Sequence, residues 1–294
     1  EEFRPTFHFT PEKNWINDPN GLLFYKGVYH LFYQHNPSGI LWGNMSWGHS
    51  VSTDLHTWQH MPVAIPCTDT TGIFSGSAVV DFTNSSGFGS IDNPPLVAIY
   101  TVHQNDESNQ SQHIAYSVDE GVTWVKYADN PVLDLGMTDF RDPKVSWVEA
   151  TQSWLMTVAK PQEYKIAFFT SKDLKNWEHL SDFGPLGATG GIWECPDLFP
   201  LQTEDGATKW ALIVSLNPGG IAGGSGTQYF VGDWDGKEFT TTQKKTLWID
   251  YGRDNYAGVT FNNTPDARRI FIGWMCNWDY AAKLPSPIWR TSMT

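Results

Sequence analysis

The feature that most restricts this chain is an internal repeat. Short segments rich in β-branched and aromatic residues recur in a fixed order, separated by turn clusters, and self-similarity at such a period marks a repeat architecture. Candidate second strands occupy residues 28–34 (VYHLFYQ), 95–101 (PLVAIYT), 153–159 (SWLMTVA), 209–215 (KWALIVS) and 269–275 (RIFIGWM). Candidate third strands occupy 47–53, 113–119, 165–171 and 227–233. The cycles open at Asp18, Ser75, Asp142, Glu194 and Asp254, at intervals of 57, 67, 52 and 60 residues. Four short antiparallel strands per cycle of this length describe a propeller blade, so an all-β, five-bladed propeller spanning 1–294 as one domain is expected. No 3.6-residue period runs long enough to compete. The fifth cycle reads as incomplete: a first strand near 256–261, a second at 269–275, a third at 289–293, and no fourth.

A turn signature follows each third strand. It pairs Ser52 and Asp54 with Trp58, Ser117 and Asp119 with Trp124, and Ser171 and Asp173 with Trp177; a degenerate copy joins Asp235 to Phe239. The Asp side chain can bond the turn backbone while the aromatic starts the outer strand. The copy at 117–124 resembles the Asp-box turn of sialidases and other propellers, and these turns are read as structural.

Composition narrows the function. With 19 Lys+Arg against 32 Asp+Glu, the net charge is −13 and no basic stripe offsets it. A nucleic-acid partner or an anionic membrane surface is therefore not expected. No apolar run approaches the roughly 20 residues that cross a bilayer. Charged residues are 17% and aromatics 15%, with 15 Trp, a balance that either fills a large core or lines a site where sugar faces stack. Cys67, Cys195 and Cys276 cannot form a disulfide framework and fit no zinc spacing, so they read as buried free thiols. Sequons at Asn44, Asn84, Asn109 and Asn262 are compatible with a secreted glycoprotein.

In a propeller the innermost strands line one channel, so the residues that open them meet at one mouth. Asp18, Asp142 and Glu194 are such residues, and several carboxylates around a Trp-lined funnel suit acid/base or nucleophilic chemistry on a sugar. The alternative is that Asp18 and Asp142 simply cap turns before Pro19 and Pro143. Crowded carboxylates cannot all ionise easily, so one pKa should rise. Flanked by Trp193 and Cys195, Glu194 has the most apolar setting and is expected to be the protonated acid; Asp18, beside Asn17 and Asn20, is expected to stay ionised.

The local words carry a resemblance. Residues 15–21 (WINDPNG), 74–76 (FSG), 140–143 (FRDP) and 193–196 (WECP) occur in the order seen in glycoside hydrolase family 32, the invertases, inulinases and levanases. Residues 30–34, 42–43, 47–49 and 289–290 match further, and 194–199 and 251–254 look closest to levanase and exo-inulinase members. The resemblance implies a retaining β-fructofuranosidase acting on fructans or sucrose without a cofactor or metal. It implies Asp18 as nucleophile, Glu194 as acid/base and Asp142 as the group that holds fructose hydroxyls in the transition state. Asn17, Gln34, Trp42, Phe74, Ser75 and Arg141 would line the fructose subsite, with Trp274 at its rim. A retaining mechanism requires a nucleophile–acid separation of about 5–5.5 Å. A secreted location and a C-terminal β-sandwich, absent from these 294 residues, are also implied. A fructosyltransferase or a non-catalytic sugar-binding propeller are the alternatives.

Weaker signals remain. His30, His35, His49, His56 and His60 cluster in the first cycle, but their spacing matches no metal set. The Gly-rich stretch 218–226 lacks the phosphate-cradle pattern and reads as a loop beside the funnel; Asn277 and Trp278 are further candidates there. Trp15, Trp42, Trp47 and Trp193 flank the catalytic words and are expected to stack on sugar.

Overall fold

The computed structural model describes residues 3–106 and 108–294. Four antiparallel blades surround a channel. The first runs Asn14–Tyr25, Val28–Asn36, Ser46–Ser52, Gln59–Ile65, and the second Thr71–Val80, Leu96–Gln104, Gln110–Ser117, Val125–Lys126. The third runs Arg141–Val148, Ser153–Lys160, Lys165–Ser171, Glu178–Phe183, and the fourth Ile192–Gln202, Thr208–Asn217, Gly226–Trp234, Phe239–Thr240. First strands of successive blades pack on one another around the axis. The turn signature behaves as its chemistry requires: Asp54 Oδ1 accepts the N–H groups of His56 (2.8 Å) and Thr57 (2.7 Å), and Asp173 Oδ1 those of Lys175 (2.9 Å) and Asn176 (2.8 Å).

Five blades, the fifth incomplete, were expected, and four blades are present. The remaining sheet has two strands, Tyr256–Thr260 and Phe271–Trp274. Its expected third strand is divided. Trp289–Arg290 leaves it to pair in parallel with Asn14 and Trp15 of the first blade. Only the following residues return: the Met275 N–H donates to the Ser292 carbonyl (2.8 Å), and the Met293 N–H to the Phe9 carbonyl (2.9 Å). Main chain near Phe9 thereby meets main chain near Met293, and the ring is shut.

All five inner strands break register at one level. The breaks lie between Ile16 and Pro19, Ile73 and Gly76, Arg141 and Lys144, Glu194 and Asp197, and Tyr256 and Val259. An extra residue on one strand of a pair bends it and re-aims its side chains. Proline fits such a site because the bulge leaves an N–H without a ladder partner, and Pro143 and Pro196 occupy two of the five, while Pro19 directly follows a third. Asp142 (φ 66), Cys195 (φ 48) and Ala257 (φ 54) take the left-handed conformation there, which strains any residue with a Cβ.

Below the bulges the channel is closed by polar side chains that tie strands together. Asp197 Oδ2 accepts from the Thr260 N–H (2.8 Å) and hydroxyl (2.7 Å) and lies 3.5 Å from Lys144 Nζ, which also donates to the Thr260 carbonyl. Asn262 Nδ2 donates to the carbonyls of Ala78 (2.8 Å) and Val145 (3.0 Å), so this sequon asparagine is a buried strand tie. Burial holds Lys144 below the usual lysine range, and Asp197 opposes that.

Removing one partner of a buried ion pair leaves the other charge uncompensated. Lys144→Met is therefore expected to lower the unfolding free energy by about 3–5 kcal/mol, measured by urea denaturation. Lys144→Met/Asp197→Leu should cost less than the two single changes added together.

Candidate active site

The bulges set neighbouring residues on one wall. Asn17 with Asp18, Phe74 with Ser75, Arg141 with Asp142, then Glu194 and Tyr256, surround a cavity of about 320 Å³ at the mouth of the channel. Gln34 and Trp42 complete the part expected from sequence. Each carboxylate is held. Ser75 Oγ donates to Asp18 Oδ2 (2.6 Å) and Asn17 Nδ2 to Asp18 Oδ1 (2.9 Å). The Asn17 amide is oriented by the Trp15 indole N–H on its Oδ1 (2.8 Å). The Cys195 N–H donates to Asp142 Oδ2 (2.9 Å), and its Sγ sits 3.4 Å from that oxygen and 3.5 Å from Asp18 Oδ2. Glu194 Oε1 receives Nε (3.0 Å) and Nη2 (2.9 Å) of Arg141, while its Oε2 receives the Tyr256 hydroxyl. Arg141 spends its remaining donor, Nη1, on Asp139 (2.6 Å) and Gln110 (3.1 Å).

Burial dominates the electrostatics. It raises Asp18 above the ordinary aspartate range; bonds from Ser75 and Asn17 pull the other way, and the charge of Glu194 adds to the rise. It pushes Asp142 up to about 7, against the attraction of Arg141 and with repulsion from Glu194 and Asp18. Asp18 was expected to remain ionised beside its polar neighbours; Asn17 does lower its pKa, as does Ser75, against the larger effect of enclosure. Burial also works against the charge of Arg141, but Glu194, Asp142 and Asp139 outweigh it and secure the cation. The Cys195 thiol is raised well above its usual range by burial and by the carboxylates around it.

Other expected residues fall elsewhere. Trp274 is a correction: it is fully buried, its indole donates to Thr291 Oγ1 (2.8 Å), and it packs between Trp15 and Tyr256. Trp278, four residues on, lines the mouth and stacks on Trp15 at 5.9 Å and 25°. Trp15, Trp47 and Trp193 are likewise buried, so of the four expected to stack only Trp42, 52% exposed, offers a face to solvent. Asp254 does not line the mouth; it accepts from the Tyr280 hydroxyl, and Tyr256 occupies the position equivalent to the other strand openings. Gln110, Asp139, Ile192 and Asn217 also line the cavity and were not foreseen. The bulge common to all five strands was the signal available for Tyr256.

The Gly-rich loop is tied down. Ser225 Oγ donates to Asn217 Oδ1 (3.1 Å) and accepts the Trp278 N–H (3.1 Å), and Asn277 Nδ2 donates to the carbonyls of Gly223 (3.1 Å) and Arg253 (2.7 Å). His30 and His49 are buried and stacked with Phe32. Among the described residues, the group able to offer three close metal-ligand atoms is Asp18, Asp142 and Cys195, within 4.8 Å of one another, and these are already bonded to each other through the thiol.

A carboxyl whose folded pKa is raised lends stability that is complete below its unfolded pKa and is lost as pH rises through the folded value. For Asp142 that window runs from about 4, its unfolded value, to about 7. The melting temperature is expected to fall across this interval, and Asp142→Asn should flatten the decline; an unchanged slope in the variant would contradict the assignment.

Comparison with known proteins gives a consistent result. The family description "Glycosyl hydrolases family 32 N-terminal domain" matches residues 8–294. The levanase of Bacillus subtilis is 52% identical over 300 residues, covering 99% of this chain and 44% of the levanase. The extracellular exo-inulinase of Aspergillus niger is 45% identical over 327 residues, covering all of this chain and 61% of that protein. The crystal structure of the Aspergillus awamori exo-inulinase superposes with a TM-score of 0.96 at 43% identity, over 100% of this chain and 63% of the other. The chain thus spans about half to three-fifths of the length of these relatives.

Proposed function

Because the chain belongs to glycosyl hydrolase family 32, we propose that it forms the catalytic propeller of a secreted β-fructofuranosidase. It releases terminal β-D-fructofuranosyl units from fructans or sucrose by double displacement. The observation that carries this reading is the convergence of Asp18, Asp142 and Glu194 on one cavity, with Arg141 bonded to Glu194. A retaining glycosidase needs a nucleophile on one side of the anomeric carbon and an acid at the leaving oxygen. Asp18 suits the first role: Ser75 and Asn17 hold both of its oxygens, so the carboxylate is fixed before substrate arrives. Glu194 suits the second, oriented by Arg141 on one oxygen and Tyr256 on the other.

The reaction then runs in two steps. Asp18 attacks the anomeric carbon while Glu194 gives its proton to the leaving oxygen, forming a fructosyl–Asp18 ester. Glu194, now ionised, takes a proton from water, which attacks the same carbon and frees Asp18. Asp142 lies against both the nucleophile and the Cys195 backbone and is placed to bind sugar hydroxyls. Transfer to a second sugar in place of water is the alternative, and glucose and free fructose in equal amounts, with no oligosaccharide, at high sucrose exclude it. An extracellular location accords with the name of the Aspergillus niger relative.

Glu194→Gln should lower kcat/KM on sucrose by about 10²–10⁴-fold and affect a substrate with an activated leaving group much less. Equal loss on both would remove Glu194 from the acid role. Asp18→Asn should yield no trapped fructosyl-enzyme. In Ser75→Ala, loss of a bond that stabilises ionised Asp18 should move the acid limb of the kcat/KM profile to higher pH.

A further inference from the structure

The bulge that carries Arg141 and Asp142 belongs to the third blade, yet the side chains that hold its main chain come from the second. Thr101 Oγ1 accepts the Asp142 N–H (3.1 Å) and donates to Gln112 Oε1 (2.7 Å). The Gln112 amide donates in turn to the Phe140 carbonyl (2.7 Å). Thr101 and Gln112 face each other on adjacent strands, both are fully buried, and neither lines the catalytic cavity. Resting on the β-fructofuranosidase reading above, we propose that Thr101 and Gln112 are positioning residues of the reaction: they fix the backbone turn at Asp142 and so aim its carboxyl at the sugar.

Asp142 needs such support. At φ 66 it holds a conformation that strains any residue with a Cβ and persists only where the surroundings over-determine it. The ladder of its own blade is interrupted between Arg141 and Lys144, and a buried N–H left without an acceptor is costly. The Thr101 hydroxyl supplies that acceptor. Gln112 takes the hydroxyl proton, which leaves an oxygen lone pair for Asp142, and its amide grips the chain two residues earlier. Arg141 is thereby clamped between two fixed points. Ser77, also of the second blade, continues the cradle by donating to the Pro143 carbonyl (2.9 Å) and accepting the Val145 N–H (2.8 Å). The Asp142 carboxyl is held separately, by the Cys195 N–H of the fourth blade. The same device recurs at the last sheet. Ala257, at φ 54, donates its N–H to Ser215 Oγ (3.1 Å) of the fourth blade. Thr227, paired with Ser215 on the next strand, is hydrogen-bonded to that hydroxyl (3.0 Å) and donates to the Asn255 carbonyl (3.5 Å), again two residues before the bulge. A hydroxyl beneath the left-handed N–H, backed by a polar partner on the adjacent strand, thus accompanies both bulges, and in one of them the residue held is Asp142.

Thr101→Val keeps the shape of the side chain and removes the hydroxyl, whereas Thr101→Ser keeps the hydroxyl. Thr101→Val is expected to lower kcat on sucrose, per folded molecule, by about tenfold to a hundredfold with a smaller change in KM, and Thr101→Ser should restore most of it. The decisive comparison is a double-mutant cycle with Asp142→Ala, run on a fructoside with an activated leaving group. Once the Asp142 side chain is gone, Thr101→Val should cost nothing further. Gln112→Met can neither accept from Thr101 nor donate to Phe140; it should repeat the result of Thr101→Val and replaces it if that variant does not fold. A fall in melting temperature with kcat per folded molecule unchanged would overturn the inference and leave the catalytic reading intact. So would the same fold-loss with and without the Asp142 side chain. Failure of the unmodified protein to hydrolyse any β-fructoside would overturn both.

Discussion

The molecule depends on a single irregularity placed five times: the bulge in each inner strand. A regular strand turns every second side chain away from the channel, which would leave one functional group per strand at the mouth. The bulge sets two successive residues on the same side, which is how Asn17 joins Asp18 and Arg141 joins Asp142. It explains the local words as well. Proline after Asp142 and after Cys195 is tolerated because the ladder is already broken there, and Cys195 accepts a left-handed conformation that aims its N–H at Asp142. The strain falls on Asp142, Cys195 and Ala257, in or beside the cavity wall, where surrounding structure can sustain it.

Enclosure sets the electrostatics that follow. Asp18 and Asp142 share the Cys195 thiol as a spacer, while the Arg141 guanidinium is divided between Glu194, through Nε and Nη2, and Asp139 and Gln110, through Nη1. The positive charge is therefore bonded directly to Glu194, whereas it acts on Asp142 without a hydrogen bond and burial outweighs it there. Beneath them Lys144 compensates Asp197 and is committed to another layer of the channel. The channel is in effect a stack of polar layers, with the Lys144–Asp197 pair below and the carboxyl-rich layer around Arg141 at the open end.

Much of this was legible in the sequence. The strands of four blades lie where the alternation of apolar residues put them, and the three carboxylates meet where the repeat phase predicted. Trp274 was misread because its strand direction fixes it in the core opposite Tyr256, whereas Trp278 reaches the mouth from an irregular turn whose side-chain directions no periodicity encodes. Tyr256 was missed because Asp254 looked like the acidic opening of another cycle, and only three-dimensional register shows that the strand begins two residues later. The enclosure of Asp18 was not legible for a related reason. Sequence neighbours such as Asn17 are visible in one dimension, but enclosure comes from strands far away along the chain. The fifth cycle failed as a blade because its outer residues are spent on its neighbours.

The joint between Phe9 and Met293 has a meaning beyond sealing a sheet. The site draws at least one residue from each of the five inner strands, so no subset of blades contains it. The main-chain contact that completes the circle joins the two most distant parts of the described sequence. Assembly of the cavity is then a report on the topology of the whole ring: with the last sheet undocked, the wall that carries Tyr256 is missing.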